Sequence, residues 1–434
     1  MNSNKHSSSS PKFVRAVTRW QIVGLSINDV IGSGVYLLPA AAALLLGSAS
    51  IWAVFLAGFA VAILVLCFAE ASSYFDEQGG AYLYTREAFG EFTGFEVGWM
   101  TWLARVTSVA SLSVGFALAC AWLWPGAAEG WGRVLVITAS LAILTWINII
   151  GVKEGAKMAV FLTIAKSIPL LIFIGFGIFA INWDIVATVN MPDISFDSMS
   201  EAVLLVLFAY VGFESTPGAA GEYKNPKKDL PFALLTMVVI VTLLYTLVQL
   251  VAVGTFPGLE NSKSPLAEAA AYFSGSWMAV VLTLGAMISI FGNVGNSTLM
   301  GPRYLYALAK DGYGFKALAK IHPKYRTPAV AILAQSGIAL ALALSGSFVG
   351  LAMLSIIARL ATYAGTAAAL PILRKKYPDR KDTVRLPGGY AIPIIALMLC
   401  LVFLISTTVA NLIAGAIALL VGGIIYFFRG KKVE

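Results

Sequence analysis

Asp29, Arg105, Lys166, Glu214 and Arg359 carry charge deep inside long apolar runs. Charge in hydrocarbon is costly, so such residues pair with one another, face a wet cavity or help to move a charged solute. Asp29 comes one helical turn before Ile31-Gly32-Ser33-Gly34-Val35. Two glycines around a serine in mid-span read as a break, because glycine is a poor helix former and tolerates unusual backbone angles. A broken helix exposes N–H and C=O groups that lipid cannot satisfy, so it survives only against protein or water. The half-helix beyond the break aims free N–H groups and the positive end of its dipole into that space, a ready carboxylate site. Close helix packing over small residues is the other use of the same glycines. Lys166 is a candidate proton carrier, or a permanently charged strut. Asp29 and Glu214 are candidates for attracting a cationic substrate, or for buried ion pairs, with Lys166 or Arg105 as partners of Asp29. Arg105 is deep enough to need a carboxylate, whereas Arg359 is expected to snorkel or to cap a carbonyl cluster. No His/Cys set and no nucleophile elbow accompanies these charges, so neither catalysis nor a metal or other cofactor is expected.

The elements that position these residues must be membrane spans. The 434 residues are 59% hydrophobic and only 12% charged, with a mean hydropathy of +0.83, which excludes a soluble globular domain. The expected class is all-α and integral to the lipid bilayer. Apolar runs of bilayer-spanning length fall near 17–44, 50–72, 93–122, 133–151, 157–181, 200–221, 230–254, 277–308, 328–346, 349–373, 390–408 and 411–428, twelve in all. Residues 1–13, with Ser7 to Ser10 in a row, read as a disordered tail, and 429–434 as a second tail. Cys67, Cys120 and Cys400 lie in apolar runs and read as small hydrophobes; His6 and His322 lie in polar segments.

The net charge of +8 signals topology rather than nucleic acid. Lys153, then Lys224, Lys227 and Lys228, then Lys310 to Arg326, then Arg374 to Arg385 follow spans 4, 6, 8 and 10, and Arg429, Lys431 and Lys432 follow span 12. The loop between spans 5 and 6 carries Asp184, Asp193 and Asp197 and no Lys or Arg. Both termini are therefore expected in the cytoplasm. The weakest inner loop follows span 2, where acids outnumber Arg86.

A second break stands in span 6, in the run Phe208-Ala209-Tyr210-Val211-Gly212-Phe213-Glu214-Ser215-Thr216-Pro217-Gly218-Ala219-Ala220-Gly221. Spans 1 and 6 hold corresponding places if 14–181 and 200–373 are two halves of five spans. Five is odd, so the second half is inverted, and 390–428 trails as two further helices. Paired interruptions of this kind point to a transporter site at the midplane. The Gly79-Gly80-Ala81 stretch has neither the flanking strand nor the Lys-Ser/Thr of a phosphate cradle, and reads as a tight turn at the inner gate. Trp122, Trp124 and Trp131 read as an interfacial belt.

Over nearly its whole length the chain resembles the amino acid–polyamine–organocation transporter superfamily. The resemblance rests on Ile31-Gly32-Ser33-Gly34-Val35-Tyr36-Leu37-Leu38-Pro39-Ala40, Gly79-Gly80-Ala81-Tyr82-Leu83-Tyr84, Gly212-Phe213-Glu214 with Lys224-Asn225-Pro226-Lys227-Lys228, and Gly301-Pro302-Arg303-Tyr304-Leu305-Tyr306. It implies the five-plus-five inverted repeat and alternating access. It implies that Ile31, Gly32, Ser33 and Gly34 bind the substrate carboxylate, that Phe208, Ala209 and Val211 line the amine end, and that Phe208 gates the substrate. It also implies a span 5 lysine, here Lys166, standing where sodium-coupled relatives of the fold bind sodium. Span 6 is similar to the arginine/agmatine antiporters, in which the counterpart of Glu214 is implicated in pH sensing. The chain departs from that branch at Lys166 and Arg105, at Asp29, where the branch has asparagine, and at Asn296, where it has a pocket tryptophan.

The expected function is secondary active transport of amino acids or related amines across a bacterial plasma membrane, independent of sodium and coupled to protons. An obligate exchanger without proton coupling and a transporter-like amino acid sensor are the alternatives. Amino acid, protons and lipid are the expected partners, and a homodimer is compatible with the reading.

Overall fold

The computed structural model describes residues 17–75, 79–150, 156–187, 194–378, 383–386 and 388–428. The expected tails, His6, and the cations Lys153, Arg380 and Lys381 lie outside the described residues, as does Asp193.

The chain is helical, and no strand forms among the described residues, only an isolated parallel bridge between Val17 and Tyr223. The elements run α1 (Arg19–Val30), α2 (Gly34–Leu46), α3 (Ser50–Ser73), α4 (Gly80–Phe89), α5 (Glu91–Cys120), α6 (Gly130–Ile150), α7 (Ala156–Gly177), the short α8 (Trp183–Ala187) and α9 (Phe196–Leu207). They continue with α10 (Pro226–Thr255), α11 (Pro265–Ser274), α12 (Ser276–Lys310), α13 (Ala329–Ser345), α14 (Phe348–Lys376), α15 (Ala391–Ile405) and α16 (Val409–Phe427). Among the described residues, eight helical stretches are long and apolar enough to cross a membrane, and α13 and α15 are apolar but shorter. A length criterion misses interrupted spans, which is where the interest of this chain lies.

The first interruption follows from residue type. α1 stops at Ile31, whose backbone turns extended (ψ 100°) while its N–H still donates to Ile27 O at 2.9 Å. Helix resumes at Gly34. The second interruption is longer. α9 starts on a Ser195 cap, whose Oγ accepts from Ser198 N at 3.0 Å, and ends in a 3-10 turn, Phe208–Tyr210. Val211 is extended, Gly212 takes φ +124°, and a 3-10 stretch runs over Phe213–Glu222 with Pro217 inside it. A β-carbon at Gly212 would stand 2.5 Å from the Asp29 carbonyl oxygen, so both its backbone angle and its surroundings require glycine.

Around the two breaks, α3 packs along α10, and α5 packs along α12 and α14. The seams are rich in alanine and β-branched residues, and the largest buried side chains include Tyr210, Phe213, Tyr363 and Lys166. The outward faces are apolar, with Leu171 on α7, Leu401 on α15 and Leu420 on α16 all more than half exposed, as expected of surface in contact with lipid.

Two elements depart from the sequence reading. Gly79 and Gly80 take φ +147° and +52°, but Gly80 and Ala81, read as turn, already belong to helix α4. α11 likewise occupies a stretch read as loop. Both helices are ten residues long, too short to register as spans. α4 is anchored to the end of α14 by Lys376 Nζ, 2.5 Å from Glu87 Oε1, and by the Tyr377 hydroxyl at 2.7 Å. Those two donors hold the Glu87 carboxyl below the usual carboxylate range. A depressed carboxyl favours the folded state above its unfolded titration range, so this contact is complete near neutral pH and is lost as pH falls through the folded value. The pair is largely solvent-screened, so Lys376→Ala should leave the melting temperature in detergent unchanged. Beneath it, Glu70 is fully buried at the end of α3 and takes two 2.6 Å bonds from Arg374 and a third, at 3.1 Å, from Leu386 N.

Candidate functional site

The two breaks cross. A β-carbon on Gly34 would stand 2.5 Å from Ala209 Cα, so the second half of the first broken helix lies directly on the backbone of the second. The Tyr245 hydroxyl, from α10, reaches a carbonyl of each: Val30 O at 3.2 Å and Ala209 O at 3.1 Å.

A narrow cavity lies where they cross, with about 30 Å³ of free space, the share of one water molecule. Asp29, Gly32, Ser33 and Gly34 line it from the first break, and Phe208, Val211 and Gly212 from the second. Arg105, Ser108 and Leu112 close it from α5, Asn293 and Ser297 from α12, and Arg359 from α14. The start of α2 is one end of this cavity. The first N–H groups of a helix have no intrahelical acceptor, and Ser33 Oγ beside them is buried, in a residue 1% exposed, without a hydrogen-bond partner. Donors clustered at a helix N-terminus suit a carboxylate. Phe208 packs edge-on against Phe348, ring centroids 5.9 Å apart, at the cavity wall.

Lys166 reaches the break from behind. Its Nζ donates to Asn28 O at 2.9 Å, Ile31 O at 2.8 Å and Asn293 Oδ1 at 3.0 Å. Three acceptors match the three N–H bonds of an ammonium, and two of them are carbonyls at the end of α1, where the helix dipole is negative. Asn293 also donates through Nδ2 to Asp29 O at 3.3 Å, and Ser289 Oγ donates to Ile31 O at 3.1 Å.

Across the cavity stands a buried Arg–Glu–Arg cluster. Glu214 Oε1 is 2.8 Å from Arg359 Nε and 3.7 Å from Arg105 Nη2. Gly212 N donates to Glu214 Oε2 at 3.0 Å, and the Tyr363 hydroxyl stands 3.5 Å from the same oxygen. Arg105 also bonds the Ser215 hydroxyl, and Arg359 donates to Ser108 Oγ at 3.0 Å.

Most expected site residues converge here, with five corrections. Arg359 does not snorkel; it is the nearer partner of Glu214, and its guanidinium also reaches the Ala104 and Ser355 carbonyls, at 3.4 and 3.5 Å. Asp29 pairs with neither Lys166 nor Arg105 among the described residues. Its Oδ1 accepts from Asn296 Nδ2 at 2.6 Å, because the lysine is already saturated by neutral acceptors. Asn296 is thus a partner of Asp29 rather than a wall of the cavity, and Asn293, one turn earlier, lines it instead. Ala209 lies on the far side of the crossing, and its carbonyl is taken by Tyr245; the Ile31 N–H already donates to Ile27 O at 2.9 Å, so it is no free donor for a carboxylate. Tyr245, Ser289, Asn293 and Ser108 were not legible as site residues one by one. Ser289, Asn293 and Ser297 follow each other at intervals of four in an apolar span, one polar helix face aimed at the breaks, and that period was the available signal.

Fold and site together define a multi-pass helical membrane protein with a polar cavity held between two interrupted helices. The family model for amino acid permeases matches residues 17–427, and the chain belongs to that family, whose members are membrane transporters rather than enzymes. It is 28% identical to the branched-chain amino acid permease BcaP of Bacillus subtilis (strain 168) over 96% of this chain and 93% of the relative. It is 31% identical to the serine/threonine exchanger SteT of the same organism, over 94% and 95%. The methylthioribose transporter of that organism is 29% identical, over 98% and 95%.

Proposed function

We propose that the protein is a secondary active transporter of amino acids that works by alternating access, with the substrate carboxylate on the start of α2 and its amine toward Asp29 and the backbone of Val211 and Gly212. The single observation that carries this reading is the cavity at the crossing, with Ser33 Oγ buried and unpartnered beside the free N–H groups of a half-helix. The remaining volume is about that of one water, so an incoming amino acid must part the walls, with Phe208 as the movable one.

The architecture we propose is twelve spans: α1 with α2 as the first, α9 with the 3-10 stretch after it as the sixth, and α15 and α16 outside a five-plus-five inverted repeat. Packing partners support this, because they recur when each span is advanced by five. α3 against α9 is matched by α10 against α1, α5 against α14 by α12 against α7, and α6 against α12 by α13 against α5. The short helices α4 and α11 hold matching positions before α5 and α12. The Lys- and Arg-rich loops favour cytoplasmic termini in a bacterial plasma membrane.

We read transport as independent of sodium, because the Lys166 ammonium takes carbonyls that a cation would otherwise need. Proton coupling through Lys166 is the first reading of the driving force. The full set of three acceptors around the ammonium favours the second reading, a fixed strut in an obligate exchanger.

Uptake of labelled amino acids into proteoliposomes, with sodium or choline outside and with or without an inward proton gradient, separates the two. Uptake driven by the gradient and indifferent to sodium is expected. Uptake only into vesicles preloaded with amino acid would instead establish exchange. Lys166→Ala should lower uptake at least about ten-fold, since three buried acceptors lose their donor. If the residual activity keeps the wild-type pH profile, Lys166 is a strut; a flattened profile makes it the proton carrier.

A further inference from the structure

The charges around the cavity do not balance. With all five groups ionised, Arg105, Lys166 and Arg359 face Asp29 and Glu214 among the described residues, so three cations meet two anions and one positive charge is left over. Arg359 is satisfied by Glu214, Ser108 and backbone carbonyls, and Lys166 by its three acceptors. Arg105 is the group left incomplete. It sits 3.7 Å from Glu214, against 2.8 Å for Arg359. Its Nε is buried with no hydrogen-bond partner, in a residue 3% exposed that lines the same cavity as Ser33. A guanidinium N–H without an acceptor in a water-poor site is a standing cost, as is a surplus buried charge. An amino acid with a neutral side chain enters as a zwitterion. Its carboxylate and amine are met by α2 and by Asp29, and it leaves the surplus where it was. A lysine or arginine side chain would double it.

We propose that the cavity selects amino acids with an acidic side chain, aspartate or glutamate, whose second carboxylate accepts from Arg105 Nε and cancels the surplus charge. This rests on the transporter reading above. Arg105 is then the specificity-determining residue. Arg359 and Ser108 hold the cluster in place behind it, and Ser33 marks the opposite, backbone-recognising end.

The test is uptake and cross-inhibition in proteoliposomes with aspartate, glutamate, asparagine, serine, leucine and lysine, in chloride and in gluconate. Aspartate or glutamate should be preferred over asparagine at least about ten-fold, a difference of roughly 1.4 kcal/mol. Arg105→Gln should lower the aspartate-to-asparagine ratio by at least the same factor. Because that ratio is taken within one preparation, a partly misfolded variant does not distort it. Transport of asparagine, serine or leucine with no uptake or inhibition by acidic amino acids would overturn the inference and leave the transporter reading intact. Neutral amino acid uptake that requires chloride would also overturn it, by giving the surplus charge to a free anion. An acidic preference unchanged in Arg105→Gln would overturn the role of that residue. No uptake of any amino acid would overturn both readings.

Discussion

Gly34→Ala should abolish transport while the protein still reaches the membrane. The added methyl would lie 2.5 Å from Ala209 Cα, 2.6 Å from its Cβ and 3.1 Å from its backbone nitrogen. Those atoms belong to the other broken helix, and the carbonyl of the same residue is tied to Tyr245 at 3.1 Å. Backbone cannot rotate away as a side chain can, so the two half-helices must separate, and the donors on α2 move off the other walls of the cavity. Uptake should fall at least about a hundred-fold, or roughly 2.7 kcal/mol of lost recognition. Gly32 offers a contrast. Its β-carbon would meet Asn293 Nδ2 at 2.6 Å, the end of a side chain that can turn aside, although Asn293 then gives up Asp29 or Lys166. Gly32→Ala should therefore bind weakly and Gly32→Val not at all. Isothermal titration on detergent-purified variants checks the order. Wild-type affinity in Gly34→Ala would remove the crossing point from the binding site.

Glu214→Gln should be strongly destabilising although it is conservative in shape. The substitution keeps size and shape, and takes away the one carboxylate that, among the described residues, lies within 4 Å of both Arg359 and Arg105. Losing one partner of a buried ion pair costs about 3–5 kcal/mol, because the remaining charge is left uncompensated. Here two guanidinium groups are stranded, each 2–3% exposed. A clear drop in melting temperature and in yield in detergent is expected. Arg105→Gln should cost much less, since Glu214 retains Arg359 at 2.8 Å. Equal melting temperatures for Glu214→Gln and the wild type would mean that Asp29, rather than Glu214, neutralises the cluster.

What could be read in the sequence divides along a physical line. Long apolar runs and the glycine–serine–glycine break are local properties, so composition alone reveals them. Intramembrane charges also reveal themselves, because each needs an unusual reason to exist. Their partners do not. Glu214 meets Arg359 across 145 positions and Lys166 meets Ile31 across 135, and no local rule relates such distances in sequence. Asn296 and Asn293 show the finer limit. Both are asparagines on one helix, and a rotation of about 300° at roughly 100° per residue decides which one faces the cavity. α4 and α11 escaped for the opposite reason: their short length and mixed faces resemble loops to any test built on hydrocarbon thickness.

The hydroxyl of Tyr245 has one proton and two carbonyls within reach, Val30 O and Ala209 O, at nearly the same distance. Only one can be served at a time, and neither choice is much better than the other. If the two interrupted helices slide past each other, a donor is already waiting at whichever carbonyl comes nearer. Leaving a buried carbonyl bare would cost on the order of 1–3 kcal/mol, and the phenol lets that demand pass from one helix to the other during the motion. Tyr245 thus joins the helices as an axle bearing joins two moving parts: it holds them in contact and resists their separation, while opposing little of their rotation.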